Sequence, residues 1–246
     1  DGGAYRDLSK ALFRCEQMIE EGANIIDIGG ESTRPKASPV SSAVELERVL
    51  PVIEAIRSRM DIVLSVDTRH FEVMEACLKL GVEWINDISA LQEPNALHCV
   101  AHFKPYIVLM HMQGLPSTMQ DNPTYCEIIQ DVKSFFTQRI QVCIEAGIPS
   151  EKIVLDPGFG FGKNLQHNLT LLNRLDELNQ TFPLLIGLSR KSMFYHLLGR
   201  AKEDRLPASL AATVIAVLKG ANIIRTHDVK ATADCVAVVS ALKKLR

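Results

Sequence analysis

Apolar residues recur along this chain in two alternating rhythms. Leu8, Ala11, Leu12, Cys15, Met18 and Ile19 follow the spacing of one helical face, and Gly22 stands where a helix C-terminus favours glycine. The next stretch, Ala23-Asn24-Ile25-Ile26-Asp27, predicts a buried strand. The same pattern returns at Gly81, ahead of Val82 to Asn86, and at Gly220, ahead of Ala221 to Arg225. In each case a polar residue follows the glycine by five places, just past the apolar core of the strand. Gly147 repeats the arrangement with a longer lead to Asp156.

The segments between fit the same alternation. Leu46, Val49, Leu50, Ile53 and Ile56 predict a helix over 41–59, and a strand over 62–66 ends at Asp67. Val73, Met74, Cys77 and Leu78 mark another helix, followed by a helix over 94–102, a strand over 106–110 and a long helix over 126–146. After Ile153 to Asp156 the pattern predicts a helix over 165–179, a strand over 184–187 and a short helix from Lys191. A very apolar helix over 206–219 and a last helix from Val229 complete the chain.

Seven strands alternating with eight or more helical segments predict an α/β fold with parallel strands and right-handed crossovers. Barrels of this kind close with eight strands. The chain opens on a helix, so the expectation is a (β/α)8 TIM barrel whose first strand lies upstream of Asp1. An open doubly wound sheet is the alternative, but the early strand-to-helix turn lacks a GxGxxG pattern. No linker or shift in composition divides the sequence, so residues 1–246 read as a single domain.

Composition narrows the function. With 246 residues and a formal charge of -2, the chain makes no electrostatic case for nucleic acid. No apolar run reaches the ~18 residues of a membrane span, and no basic-then-apolar leader opens the chain. Six scattered cysteines without a CxxC pair read as mostly buried thiols of a reducing cytoplasm. His98 and His102 are four apart, but Cys99 stands where a zinc-protease helix needs Glu.

The most informative stretch is Ile153 to Lys163, IVLDPGFGFGK. Asp156 closes the apolar run, and Gly158, Gly160 and Gly162 alternate with Phe159 and Phe161. A carboxylate at a strand end, beside bare backbone and aromatic faces, suits a flat heterocycle; a tight turn is the plainer reading. The spacing of Gly158 to Gly162-Lys163, with Asn164 following, fits no P-loop. Other polar residues at strand ends are Asp27, Asp67, Asn86, His111, Ser189 to Lys191, Arg225 and His227. Asp67 and Asp228 are also candidate helix caps. Asp67, Asn86 and Asp156 form an acceptor-rich half that can take the paired N–H groups of an amidine-like edge. Arg34, Arg190, Arg225 and His227 form a cationic half suited to an anion such as phosphate.

In order, the motifs DIGGESTRP (27–35), SVDT (65–68), INDIS (85–89), HMQG (111–114), LDPGFGFGK (155–163), GLSRKS (187–192) and RTHDV (225–229) resemble those of the dihydropteroate synthase family. That resemblance implies a cytoplasmic folate-pathway transferase on an eight-stranded α/β barrel, often a homodimer and a sulfonamide target. It implies that Asp67, Asn86, Met110, Asp156, Lys191 and Arg225 hold a pterin. It also implies that Thr33, Arg225 and His227 reach its diphosphate, and that Thr33, Arg34, Pro35, Phe161, Lys191 and Ser192 surround 4-aminobenzoate. Small molecules would be the partners, and Mg2+ would assist the leaving diphosphate. The family's metal-binding first-strand motif has no counterpart here, so no metal ligand is expected in this chain; a polypeptide starting at Asp1 would be expected to show little activity. Lys36 replaces the glycine that usually follows Arg-Pro in the family. The rival readings are a methyltetrahydrofolate-binding barrel of a corrinoid methyl-transfer system and a non-catalytic homologue.

Overall fold

A computed structural model describes residues 3, 5, 7–32, 38–178 and 181–245. The chain forms two compact units, one of residues 1–110 and 138–153, the other of residues 111–137 and 154–246.

The first unit is a parallel α/β layer. Strands β1 (Ile25–Gly29), β2 (Val63–Asp67), β3 (Trp84–Asp87) and β4 (Tyr106–Met110) pair side by side in chain order. Helices α1 (Leu8–Glu20), α2 (Ser42–Arg57), α3 (Phe71–Lys79) and α4 (Pro94–Phe103) alternate with them, and successive helices pack together. The strands read as apolar runs because both faces are covered: Leu64, Val66, Ile85, Ile107 and Leu109 have no solvent exposure. Val49, Ile53, Ile56, Val73 and Met74 cover them from the helices and are equally buried. The Asp7 carboxylate starts α1 by accepting the Lys10 N–H at 3.0 Å. Arg139 closes the turn after β3 by donating to the carbonyls of Ala90 and Leu91.

Helix α5 (Ile128–Glu145) is shared between the two segments that define the units. In the second unit, β5 (Ile153–Asp156) is bridged through Leu155 to Leu184, and β6 (Leu185–Ile186) pairs in parallel with β7 (Ile223–Ile224). Helices α6 (Leu165–Asn173), α7 (Met193–Leu198), α8 (Leu206–Leu218) and α9 (Val229–Lys243) complete it. Asn164 and His167 form a reciprocal capping box at the start of α6.

Several expectations need correction. The expected helix over 165–179 stops at Asn173, where Arg174 turns its guanidinium onto Glu127 and Glu177, and a 3-10 turn follows over Leu175–Glu177. The expected helix over 126–146 starts at Ile128, because the Glu127 carboxylate accepts the N–H groups of Ile129 and Gln130. Neither proposed aspartate cap forms: α3 starts from His70, and Asp228 precedes α9 without a side-chain capping bond. Only Cys15, Cys77 and Cys143 are buried; Cys126 is exposed, and Cys99 and Cys235 lie between.

Candidate active site

The end of β5 carries a sequestered carboxylate. Asp156 is buried, and its Oδ1 accepts the Gly158 N–H at 2.7 Å. Burial raises its pKa; the Gly158 N–H and the charges of Lys191, Lys163 and Arg225 oppose that rise. The residues after β5, before α7 and after β7 are therefore electrostatic neighbours within the second unit. The glycine loop shapes this region. Gly158, Gly160 and Gly162 have φ of +68°, +79° and +62°. A Cβ at Gly162 would strike the Gln113 carbonyl, so backbone lies where a side chain would. Lys191 Nζ stands 4.4 Å from the Phe161 ring centroid, a cation–π contact, and its side chain lies 3.4 Å from where a Gly160 Cβ would be.

Lys163 was not singled out by sequence reasoning and is the main addition. It is 2% exposed. Its ammonium lies 2.9 Å from His111 Nδ1 and donates to the carbonyls of Phe161 at 3.0 Å and His111 at 3.3 Å. Burial pushes its pKa down to about 7, although Asp156 pulls the other way. His111, whose own N–H donates to the Asp156 carbonyl at 2.8 Å, is pushed down to about 3 by burial and by Lys163. It is therefore a neutral imidazole that accepts at Nδ1. The only sequence signal for this pair was that HMQG and LDPGFGFGK both end strands.

The cationic half changes character. Arg190, at a left-handed φ of 54°, is held by the Asp228 carboxylate through two contacts at 2.9 and 2.5 Å. Its charge is thus offset within the protein rather than offered to an anion. Burial, and then Arg225, push the His227 pKa down to about 4, so it is neutral near pH 7. Ser189 Oγ accepts the His227 backbone N–H at 3.2 Å and lies 2.9 Å from Nδ1, which fits a serine proton donated to that nitrogen. Lys191, half-buried, and Arg225, exposed, carry the charge in this region. Ser192 is exposed at the start of α7.

In the first unit, Asp67 ends β2, Asn86 is the third residue of β3 and Asp27 lies at the middle of β1. Asp67 is the register partner of both Gly29 and Asn86, and Asn86 Nδ2 donates to Asp27 Oδ2 at 3.2 Å. Met110 is buried as the last residue of β4. Asp87, next to Asn86, is structural: its carboxylate accepts the N–H groups of Ser89 and Leu91, holding the left-handed Ala90-Leu91 turn. Glu31 takes two contacts from Arg69 and the Val40 N–H. Burial would raise its pKa, but these partners hold it below the usual carboxylate value. Thr33, Arg34, Pro35 and Lys36 lie outside the described residues.

A cavity of about 360 Å³ lies elsewhere, between α3 and α4, lined by residues including Glu75, His98, Cys99 and His102. It contains none of the strand-end groups. Among the described residues no cluster of three His, Cys, Asp or Glu could hold a metal ion.

The sequence matches the family of pterin binding enzymes over residues 1–227. It is 51% identical to the dihydropteroate synthase of Haemophilus influenzae over 239 residues, which cover 97% of this chain and 87% of that protein. Its structure is similar to a crystal structure of Yersinia pestis dihydropteroate synthase in a sulfonamide drug complex, with a TM-score of 0.97 and 48% identity over 99% of this chain and 89% of that one. It is also similar to Xanthomonas albilineans dihydropteroate synthase with 4-aminobenzoic acid, with a TM-score of 0.91 and 42% identity over 99% of this chain and 88% of that one. The fold class is accordingly the (β/α)8 TIM barrel.

Proposed function

The chain belongs to the dihydropteroate synthase family of pterin-binding enzymes, and from that premise we propose how its residues perform the family's reaction. The amine of 4-aminobenzoate displaces pyrophosphate from the methylene carbon of 6-hydroxymethyl-7,8-dihydropterin diphosphate, giving 7,8-dihydropteroate for folate biosynthesis. A carbon–oxygen bond breaks, a carbon–nitrogen bond forms, and the amine loses a proton. No enzyme nucleophile is needed, so catalysis rests on orientation and on electrostatic stabilisation of the departing anion.

The observation that carries the reading is the buried Asp156 carboxylate surrounded by Lys163, Lys191 and Arg225. An anion in that setting can accept paired N–H groups from a pterin edge through charge-assisted hydrogen bonds. Lys191 would donate to the ring and, over Phe161, border the aminobenzoate with Ser192. Arg225 would lie against the pterin and draw the diphosphate outward. Asp67, Asn86 and Met110 keep the pterin roles that the family resemblance implies, and Asp27 accepts from the Asn86 amide. His227, held neutral, would donate a hydrogen bond to the diphosphate rather than a charge. Thr33, Arg34 and Pro35 keep the roles that the family resemblance implies.

Among the described residues no group of three His, Cys, Asp or Glu is placed to hold a metal. Magnesium commonly keeps waters and takes phosphate oxygens from a substrate, so in this reading it would arrive with the diphosphate. Residues 1–246 would act as one catalytic domain in the cytoplasm, as a homodimer. The relatives crystallised with a sulfonamide and with 4-aminobenzoic acid support the aminobenzoate site as the one such drugs would contest.

Pyrophosphate release tests the proposal. Release should require the pterin diphosphate and 4-aminobenzoate together, with Mg2+ supplied. Absence of release with all three present would remove the assignment of this activity to the chain.

A further inference from the structure

We propose that Lys163 is a positioning residue for pterin binding: its buried ammonium locks the glycine loop to His111 and keeps Asp156 an anion. This rests on the pterin reading of Asp156 and extends it to a side chain that does not touch the substrate.

The geometry excludes direct contact. An ammonium has three N–H donors, and Lys163 Nζ has three acceptors, His111 Nδ1, the His111 carbonyl and the Phe161 carbonyl. None is left for a ligand. The contacts tie the loop residue Phe161 to His111, whose N–H donates to the Asp156 carbonyl. Tyr125 reinforces the tie by donating its hydroxyl to the Gly162 carbonyl at 2.8 Å. Lys163 therefore links Phe161 to His111, and through the His111 N–H to the backbone of Asp156.

Charge gives the second link. A desolvated carboxylate tends to hold a proton, and a protonated Asp156 could not accept two N–H groups from a pterin edge. Three cations face it: Lys163 from its own loop, Lys191 from the segment before α7 and Arg225 from the end of β7. His111 is neutral and adds no charge. Arg225 is exposed and Lys191 half-buried, so water screens both; Lys163 is 2% exposed and acts through protein. Filling space does not require an ammonium there, since burial disfavours its charged form.

The test is calorimetric titration of the full-length enzyme with 6-hydroxymethylpterin from pH ~5.5 to ~8.5, on the parent, Lys163→Met, Lys163→Arg and Asp156→Asn. Lys163→Met should weaken pterin binding about tenfold near pH 6 and clearly less near pH 8.5, because protonation of Asp156 is what the missing charge permits. Lys163→Arg, which keeps a cation at that position, should retain near pH 6 most of the affinity that Lys163→Met loses. Unchanged affinity in Lys163→Met, or a loss of equal size at every pH, would overturn the proposal and leave Lys163 a packing residue. Should Lys163→Met fail to fold, Lys163→Gln, neutral but polar, carries the same expectations. Asp156→Asn separates the two levels. Parent-like affinity there would sink the pterin role of Asp156 itself, whereas weakened affinity there with an unaffected Lys163→Met sinks only the role of Lys163.

Discussion

His111 and Lys163 are two bases that share one dry place, and their protonation states settle against each other. The lysine donates at 2.9 Å, so the imidazole must stay neutral, and its pKa lies near 3 rather than 6.5. An unfolded chain binds a proton at this histidine below pH ~6.5, while the folded chain refuses it down to about pH 3. The contribution of His111 to stability is thus complete above pH ~6.5 and is lost as pH falls from there toward 3. His227, held near 4 by burial and Arg225, acts in the same direction over a narrower window. Urea unfolding between pH 7.5 and 4 should show a fall of a few kcal/mol, the order set by 1.36 kcal/mol per pKa unit. His111→Gln, which keeps an acceptor for Lys163 but cannot titrate, should flatten that fall; an unchanged slope would show that the acid sensitivity lies elsewhere. Asp228 makes a separate prediction. Its two contacts to Arg190 are partly exposed, so Asp228→Ala should cost only about 1 kcal/mol in the same measurement.

The loop between β5 and α6 ties together chain geometry, packing and chemistry at the scale of an element. Its glycines sit at positive φ, and the backbone of Gln113 occupies the room a side chain at Gly162 would need. Gly162→Ala should therefore destabilise the fold by about 2 kcal/mol or more, combining left-handed strain with a displaced carbonyl; it should also weaken pterin binding through Phe161 and Lys163. Parent-like stability would mean that the loop moves aside freely. The capping box that starts at Asn164 supplies a control. Asn164→Ala should cost about 1 kcal/mol by freeing the His167 N–H, with less effect on the ligand. The elements themselves were legible because two-sided burial writes strands as apolar runs, and helices as 3.6-residue stripes, in local sequence. Asp156 was legible too, as a charge ending such a run. What local sequence could not carry was partnership across distance. Lys163 follows three glycines and looks like a loop cation until the segment holding His111, Tyr125 and Phe135 packs over it. Arg190 looks like an anion ligand until Asp228, 38 residues on, takes it. β6 and β7 are two residues each, although the Asn222 and Arg225 N–H groups beside β7 also donate to the carbonyls of Leu184 and Ile186.

At the scale of the whole molecule, the last two helices show more apolar surface than their own unit covers. Helices α8 and α9 pack on each other, yet Ile215, Leu218, Val238 and Leu242 stand 42–62% exposed along them. Val238 and Leu242 are four apart in α9, so they share one face of its final turns. Single exposed apolar residues need no explanation, but several at helical spacing on two neighbouring helices make a patch of the sort that partners cover. A second copy of the chain is the occupant that the homodimer reading names, and a stable interface would bury upward of ~1,000 Å² in total. Sedimentation of the full-length protein should give a dimer at micromolar concentration. Val238→Asp with Leu242→Glu should shift it to monomer, because two charges would have to be desolvated without partners. None of these residues lies at a strand end, so 6-hydroxymethylpterin should bind the double variant as tightly as the parent. A parent that sediments as a monomer would remove the dimer. A variant that becomes monomeric and also loses pterin affinity would show instead that the pterin site depends on the partner.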